Sequence, residues 1–175
     1  LTFFMVYSSY CLFEKKHPLR FSFFSAISIL VKPQSLAIFP IQLVNLVRNY
    51  KSQKYVIFLV PIFLIFFSLP FFLKDPIFGL FHLFEKSVNV YPYTSIFSYN
   101  FWSYAGWWAN DSTKIFLFSY KVWGTIIYLF FLILILIPLL KRSSKRGFSI
   151  YFACSLTIFA FFLFLTRIHE RYLYP

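Results

Sequence analysis

The chain has 175 residues, of which 60% are hydrophobic and 26% aromatic, and its formal net charge is +12. Because a soluble globular domain is only about 45–50% apolar, this composition argues against an ordinary soluble domain and predicts an all-α polytopic membrane protein. The Lys and Arg residues lie between apolar runs, which favours cytoplasmic loops and anionic lipid headgroups over nucleic acid as the reason for the basic charge.

The first half of the chain alternates short apolar runs with basic loops. Residues 1–13 are apolar but too few for a spanning helix, which needs about 20 residues, so we expect a truncated helix and a chain that is a fragment. The runs 21–31 and 35–47 flank Lys32-Pro33-Gln34. Because Pro33 disfavours helical backbone at Lys32, we predict a broken or re-entrant pair of short helices with Lys32 at its tip. A single kinked helix of about 27 residues is the alternative.

The rest of the chain contains three runs that we predict to span a bilayer, at 55–73, 120–140 and 149–165. The first two are separated by the segment 74–114, which we call the outer loop. Its many Tyr and Trp side chains are typical of the membrane–water interface, where we expect it to form amphipathic or re-entrant pieces. Together these runs predict one transmembrane domain over residues 1–175.

The positive-inside rule gives these spans an orientation. The segment 141–146 holds four Lys and Arg residues and is the strongest cytoplasmic marker in the chain. Counting spans back from it places the basic loops 14–20 and 48–54 in the cytoplasm. It places Lys32, the outer loop and residues 166–175 on the non-cytoplasmic side, where we therefore expect a shared site.

The last ten residues follow an uncharged run and form what we call the terminal segment, Thr166-Arg167-Ile168-His169-Glu170-Arg171-Tyr172-Leu173-Tyr174-Pro175. If the helix continued, Arg167 and Arg171 would share one face with Glu170 beside them. Two guanidinium groups on one face suit the binding of phosphate oxygens. A helix end with snorkelling arginines is the alternative interpretation.

The terminal segment resembles the Thr-Arg-Met-His-Glu-Arg-Tyr-Leu-Phe-Pro signature of bacterial and archaeal integral-membrane glycosyltransferases of the GT-C superfamily. The nearest group is the mannosyltransferase-like proteins related to the second mannosyltransferase of GPI-anchor synthesis. Lys32-Pro33-Gln34 is similar to a Lys-Pro-Gln of that family. In the outer loop, its Tyr-(Ser/Thr)…Asn-Phe-Trp and Asp-Ser patterns are matched by Tyr91-Pro92-Tyr93-Thr94, Tyr99-Asn100-Phe101-Trp102 and Asp111-Ser112.

The resemblance implies part of a GT-C-like transmembrane helix bundle. The implied activity moves a hexose, in the first place mannose, from a polyprenyl-phosphate donor to a glycan, lipid or protein acceptor on the non-cytoplasmic side. Lys32, Arg167 and Arg171 would bind the donor phosphate, and Asp111 and His169 would be catalytic, with the main catalytic acid expected earlier in the protein. The supporting residues would be Gln34, Asn100, Trp102, Glu170 and Tyr172.

Simpler interpretations of the same residues stay open. Lys32 would be a snorkelling lysine at a helix break, Asp111 a loop aspartate or a helix cap ahead of Ile115, and His169 an interfacial histidine. No metal site is indicated, and the need for a divalent cation is left open. A transporter or flippase for an anionic lipid or a lipid-linked sugar would also use broken helices and cations within the membrane. A structural membrane subunit is the third class.

Overall fold

The computed structural model describes residues 2–14, 17–48, 53–140 and 150–169. Of the described residues, 72% are helical, as the composition predicts. It divides into two compact units, Leu1–Ser87 and Val88–Pro175, which are described separately below.

The first unit consists of short apolar helices. The α-helices that begin in it are α1 Thr2–Phe13, α2 Pro18–Val31, α3 Phe39–Arg48, α4 Val56–Ser68 and α5 Pro76–Asn89, with a 3₁₀ helix over Pro33–Ile38. Helix α2 begins with Pro18, whose absent N–H costs nothing in the first turn. It ends at Val31, because Lys32 is extended, with φ −157° and ψ 110°, ahead of Pro33.

The chain reverses direction at the break that the sequence predicts at Lys32. Phe21 near the start of α2 and Leu46 near the end of α3 lie in one buried cluster with Leu12, Cys11 and Val56. A continuous helix would hold Phe21 and Leu46 about 37 Å apart, at about 1.5 Å per residue. The geometry is therefore that of two helices joined by a turn, and not of one kinked helix.

Buried amide side chains connect the helices of the first unit. Gln53 is 1% exposed, and its Nε2 donates to the Leu12 carbonyl at 2.9 Å. Asn45 Nδ2 donates to Gln53 Oε1 at 3.4 Å, and Gln42 Nε2 contacts Ser9 Oγ at 3.5 Å. Such hydrogen bonds between helices hold apolar segments in register where hydrophobic contacts alone are poorly directional.

The second unit combines two long apolar helices with short strands. Its elements are β1 Ser95–Ile96, a 3₁₀ helix over Phe101–Ala105, β2 Lys114–Ile115, β3 Phe118–Ser119, α6 Tyr120–Leu140, α7 Ile150–Phe164 and β4 Ile168–His169. Strands β1 and β4 pair in parallel, with Ser95 opposite Ile168 and Ile96 opposite His169. Strands β2 and β3 form an antiparallel hairpin that leads into α6.

Helices α6 and α7 pack through small residues and aromatic rings. Gly124 of α6 is buried, as are Ala153, Thr157 and Ala160 of α7. Small residues let helix backbones approach closely. The rings of Phe131 and Phe164 stack at 4.5 Å, so the end of α7 is held against the middle of α6.

One predicted boundary is wrong. The predicted span 55–73 ends early: α4 stops at Ser68, because Pro70 follows and cannot continue the hydrogen-bonding pattern. The outer loop 74–114 contains an amphipathic helix at its start, as expected, since α5 occupies Pro76–Asn89. Asp75 caps this helix by accepting from the Phe78 N–H at 3.2 Å, and Pro76 takes its first position.

Among the described residues, one helix, α6, is both long and apolar enough to cross a membrane. Helices α1, α2, α4 and α7 are apolar but shorter. The apolar side chains of α6 point largely outward, with Phe130 58% and Ile133 57% exposed. An exposed apolar surface of this kind marks a site that contacts protein or membrane.

Candidate functional site

The end of α7 is capped by two side chains of the outer loop. The indole Nε1–H of Trp102 donates to the Phe164 carbonyl at 2.6 Å, and Asn100 Nδ2 donates to the Leu165 carbonyl at 3.5 Å. Asn100 Oδ1 in turn accepts from the Trp102 N–H at 3.1 Å. The last carbonyls of a helix have no partner within the helix, so these two side chains satisfy the carbonyls of Phe164, where α7 ends, and of Leu165.

The terminal segment therefore does not continue α7 as a helix. Arg167 has a left-handed φ of 64°, and its N–H donates to the Tyr93 carbonyl at 2.9 Å. Strand β4 follows directly at Ile168. The expected helix, which would place Arg167 and Arg171 on one face, does not extend to Arg167. The Arg167 N–H bonds to a carbonyl of the outer loop instead of to a helical carbonyl.

Asp111 and Arg167 form a buried ion pair at the centre of the second unit. Asp111 is 0% exposed. Its Oδ2 accepts from Arg167 Nε at 2.6 Å, and its Oδ1 accepts from Arg167 Nη2 at 3.3 Å. Thr166 Oγ1 also donates to Oδ2, at 3.2 Å. A two-point contact of this type fixes orientation as well as charge.

The Nη1 donors of Arg167 bind the last two residues of α5. Nη1 donates to Asn89 Oδ1 at 2.7 Å and to the Val88 carbonyl at 3.1 Å. With the two bonds to Asp111, these contacts use four of the five N–H donors that a guanidinium has. The Arg167 side chain is only 15% exposed, so it is not a free phosphate ligand in this arrangement.

The same contacts assign a positioning role to Asp111. Both of its carboxylate oxygens are occupied, and it has no exposed surface. Its backbone is held as well, because its N–H donates to the Pro92 carbonyl and its carbonyl accepts from the Lys121 N–H, each at 3.0 Å. In this structure Asp111 anchors the terminal segment, and its predicted catalytic role stays a prediction. The helix-cap alternative ahead of Ile115 is not what the structure shows.

His169 lies in β4 and is half-buried. Its backbone pairs with Ile96, and it forms a further bridge with Phe97. The strand is held by a hydroxyl pair that the sequence analysis missed: Ser98 Oγ donates to the Ile168 carbonyl at 2.9 Å, and Ser95 Oγ contacts Ser98 Oγ at 2.9 Å. The burial of these serines is visible only in the structure, so no signal in the sequence identifies the pair. The catalytic role of His169 stays a prediction.

Aromatic rings of the outer loop pack against one another beside the paired strands β1 and β4. Phe97 and Trp108 meet edge to face at 5.4 Å, and Tyr93 and Trp108 do so at 5.1 Å. Phe97 and Trp108 both have left-handed φ values, of 53° and 64°. Bulky residues adopt this conformation rarely and at a cost of about 1–3 kcal/mol, and such residues cluster at functional sites.

The other predicted residues are placed as follows. Lys32 and Gln34 belong to the first unit, where Lys32 is the extended residue between α2 and the 3₁₀ helix. Glu170, Arg171 and Tyr172 are outside the described residues, as is the predicted cytoplasmic marker 141–146. Within the described ranges, no three His, Cys, Asp or Glu side chains lie together as a metal site would require.

Gly124 determines how closely α6 approaches the capped end of α7. A Cβ atom at this position would lie 2.6 Å from the Phe164 carbonyl oxygen and 3.1 Å from Trp102 Nε1. We expect Gly124→Ala to push the helices apart and break the Trp102 bond. The expected net loss is about 1–3 kcal/mol, since overpacking costs more than the helix propensity that alanine adds.

Thermal unfolding followed by tryptophan fluorescence measures this effect, because all four tryptophans of the chain lie in the second unit. Thr125→Ala is the matched control: Thr125 is the next residue of α6, and its exposed hydroxyl donates only to the Lys121 carbonyl. Equal melting temperatures for Gly124→Ala and Thr125→Ala would contradict the proposed close approach.

Comparison of the chain with protein-family models, with curated proteins and with solved structures gives no match.

Proposed function

We propose that the chain is part of a GT-C-type membrane glycosyltransferase that moves a hexose, in the first place mannose, from a polyprenyl phosphate to an acceptor on the non-cytoplasmic side. One observation carries the proposal. The outer-loop stretches that resemble this family, at 91–94, 99–102 and 111–112, all hydrogen-bond to Phe164–His169 or to its immediate neighbours. The partners are 55 to 74 residues apart in sequence, so their convergence is not a consequence of local structure.

In this proposal the buried ion pair holds the described start of the terminal segment, Thr166 to His169, in place. Arg171 follows this segment in the sequence and is the first proposed ligand of the donor phosphate, because preorganised donors stabilise developing charge without reorganisation. Lys32, at the break between α2 and the 3₁₀ helix, remains the second proposed cation for the phosphate. Gln34 and Tyr172 remain proposed supporting residues, and Glu170 remains a proposed counter-ion.

The protein in this proposal is an integral membrane protein that crosses the bilayer several times. The outward apolar surface of α6 and the apolar composition of α1, α2, α4 and α7 support it. Helices shorter than the bilayer are accommodated by thinning of the membrane or by neighbouring helices. The proposed partners are membrane lipids, the lipid-linked donor and a glycan, lipid or protein acceptor.

The test is sugar transfer by the protein expressed from its complete reading frame. Membranes that contain it should transfer labelled mannose from a polyprenyl-phosphate donor to an endogenous acceptor, and a nucleotide sugar should not replace that donor. The second candidate, a flippase for lipid-linked sugars, is favoured by the helix break at Lys32 and by a cavity beside it. Movement of the labelled lipid across a vesicle bilayer without consumption would select the flippase.

The proposed orientation gives a separate prediction. In a variant with Cys11 and Cys154 replaced by alanine, a single cysteine at Ser112 should react with a membrane-impermeant maleimide from the non-cytoplasmic face. A single cysteine at Ser144 should react only from the cytoplasmic face. Ser112 is an exposed residue of the outer loop, whereas Ser98 is fully buried and would be a poor reporter. Labelling of both positions from one face would refute the orientation.

A further inference from the structure

The first unit contains an internal cavity of about 400 Å³. Residues from α1, α2, the 3₁₀ helix, α3 and α4 line it, and most of them are apolar, such as Ile29, Leu46, Val60 and Leu64. Its volume lies within the about 300–1,000 Å³ that is usual for small-molecule sites. Apolar walls offer water few hydrogen-bond partners, so ordered water is a poor occupant for most of this space.

Two serine hydroxyls on the cavity wall lack a hydrogen-bond partner among the described residues. Ser28 is 2% exposed and Ser35 is 6% exposed, and the Oγ atom of each is buried without a partner. Other helical hydroxyls in the chain donate to the carbonyl four residues earlier, namely Ser22, Thr125, Ser155 and Thr157. A buried polar group without a partner destabilises the fold, so an oxygen-bearing occupant that accepts from these hydroxyls would remove that cost.

Both hydroxyls lie beside the helix break. The Lys32 N–H donates to the Ser28 carbonyl, and the Ser35 N–H donates to the Lys32 carbonyl, each at 3.0 Å. Ser28 and Ser35 are thus within one turn of Lys32 on its two sides. The cavity therefore has two hydroxyl groups beside the break and mostly apolar walls, in which Ser8, Ser25 and Gln42 are the other polar residues. This pattern fits an amphiphile with one oxygen-bearing end.

We propose that this cavity binds one hydrocarbon chain of a membrane lipid, with oxygen atoms at its head accepting hydrogen bonds from Ser28 and Ser35. The hydrocarbon fills the apolar part, and the head lies at the turn that carries Lys32. A polyprenyl phosphate and a glycerolipid acyl chain both have this chemistry. The inference rests on the membrane location proposed above and does not require sugar transfer.

The experiment is photo-crosslinking of the full chain in phosphatidylcholine nanodiscs. One arm contains a diazirine-labelled polyprenyl phosphate, and the other a diazirine-labelled phosphatidylglycerol. Leu43→Trp blocks the cavity, because Leu43 lines it and is 45% exposed. Val47→Trp is the matched control, since Val47 lies one turn further along α3, is 69% exposed and is not part of the lining.

We expect crosslinks from at least one probe to map to peptides that line the cavity. These crosslinks should fall about tenfold in Leu43→Trp and stay unchanged in Val47→Trp. The double variant Ser28→Ala with Ser35→Ala should also reduce crosslinking, by about three- to tenfold. Its thermal stability in detergent without lipid should be equal or higher, because it removes two unpartnered hydroxyls. A purely structural role for the serines would lower stability instead.

Each outcome decides the proposal. Crosslinking of the polyprenyl probe alone assigns the cavity to that chain, and crosslinking of phosphatidylglycerol assigns it to a bulk lipid chain. Crosslinks that persist in Leu43→Trp, or the absence of crosslinks to the lining residues with both probes, would overturn it. If cavity crosslinking is blocked by Leu43→Trp while the complete protein transfers no sugar, the lipid site stands and the glycosyltransferase proposal fails.

Discussion

Asp111→Ala is expected to lower the melting temperature of the second unit by more than about 10 °C. The substitution leaves the Arg167 guanidinium, which is 15% exposed, without its buried counter-ion. Removing one member of a buried pair costs about 3–5 kcal/mol, and in a unit of this size each kcal/mol is worth about 4–8 °C. The Thr166 hydroxyl loses its acceptor at the same time. The measurement is tryptophan fluorescence during heating.

Ser112→Ala is the control for this prediction. Ser112 is the adjacent residue and is exposed, and its backbone N–H, which donates to Asn110 Oδ1 at 2.9 Å, is retained. Combining Asp111→Asn with Arg167→Gln should cost less than the sum of the two single changes, because the second removes the charge that the first leaves unpaired. Strict additivity, or an Asp111→Ala variant that melts like Ser112→Ala, would show that the pair does not stabilise the unit.

Arg171→Ala is expected to reduce sugar transfer by roughly 30- to 1,000-fold in the complete protein, with expression and thermal stability unchanged. Loss of one charge-assisted phosphate contact costs about 2–4 kcal/mol in the transition state. Arg171→Lys should restore activity only in part, since a point charge replaces a planar fork of donors. Arg171 follows β4 by two residues in sequence. The assay is mannose transfer from the polyprenyl-phosphate donor.

Alanine substitutions at the two arginines of the terminal segment should therefore have different effects on stability and activity. Arg167→Ala should lower the melting temperature, because it leaves the fully buried Asp111 unpaired, and activity should fall with the folded fraction. Arg171→Ala should lower activity alone. Lys114→Ala, at an exposed position of β2, is the control for a general loss of positive charge. Near-normal transfer by Arg171→Ala would make that residue a snorkelling anchor and would remove the basis of the proposed phosphate site.

Much of the helical layout is readable from the sequence because it depends on short-range chemistry. Hydrophobic run length predicts α6 at both ends, and Pro33 predicts the break at Lys32. The run 149–165 is close to α7. The end of α4 was misplaced because hydropathy outweighed the local signal at Pro70. The start of α5 also has a local signal, at Asp75-Pro76.

The site was less predictable, because its contacts join distant segments. Spacing within the terminal segment suggested that Arg167 lies beside Glu170 on a helix, whereas the structure pairs Arg167 with Asp111, 56 residues earlier. Asn100 and Trp102 were expected to support the site, but nothing in their own neighbourhood indicates that they cap α7. Periodicity can place residues on one helical face, but it carries no information about a helix that ends because a remote loop occupies its carbonyls.

The distance in sequence between Asp111 and its partners also sets an order of events during synthesis. Thr166 is translated 55 residues after Asp111, which at about 5–20 residues per second is roughly 3–11 s. During that interval the outer loop exists with Asp111 uncompensated and with half of the β1–β4 pair absent. A chain arrested before Thr166 would thus present an unpaired carboxylate at Asp111 and an open edge on β1.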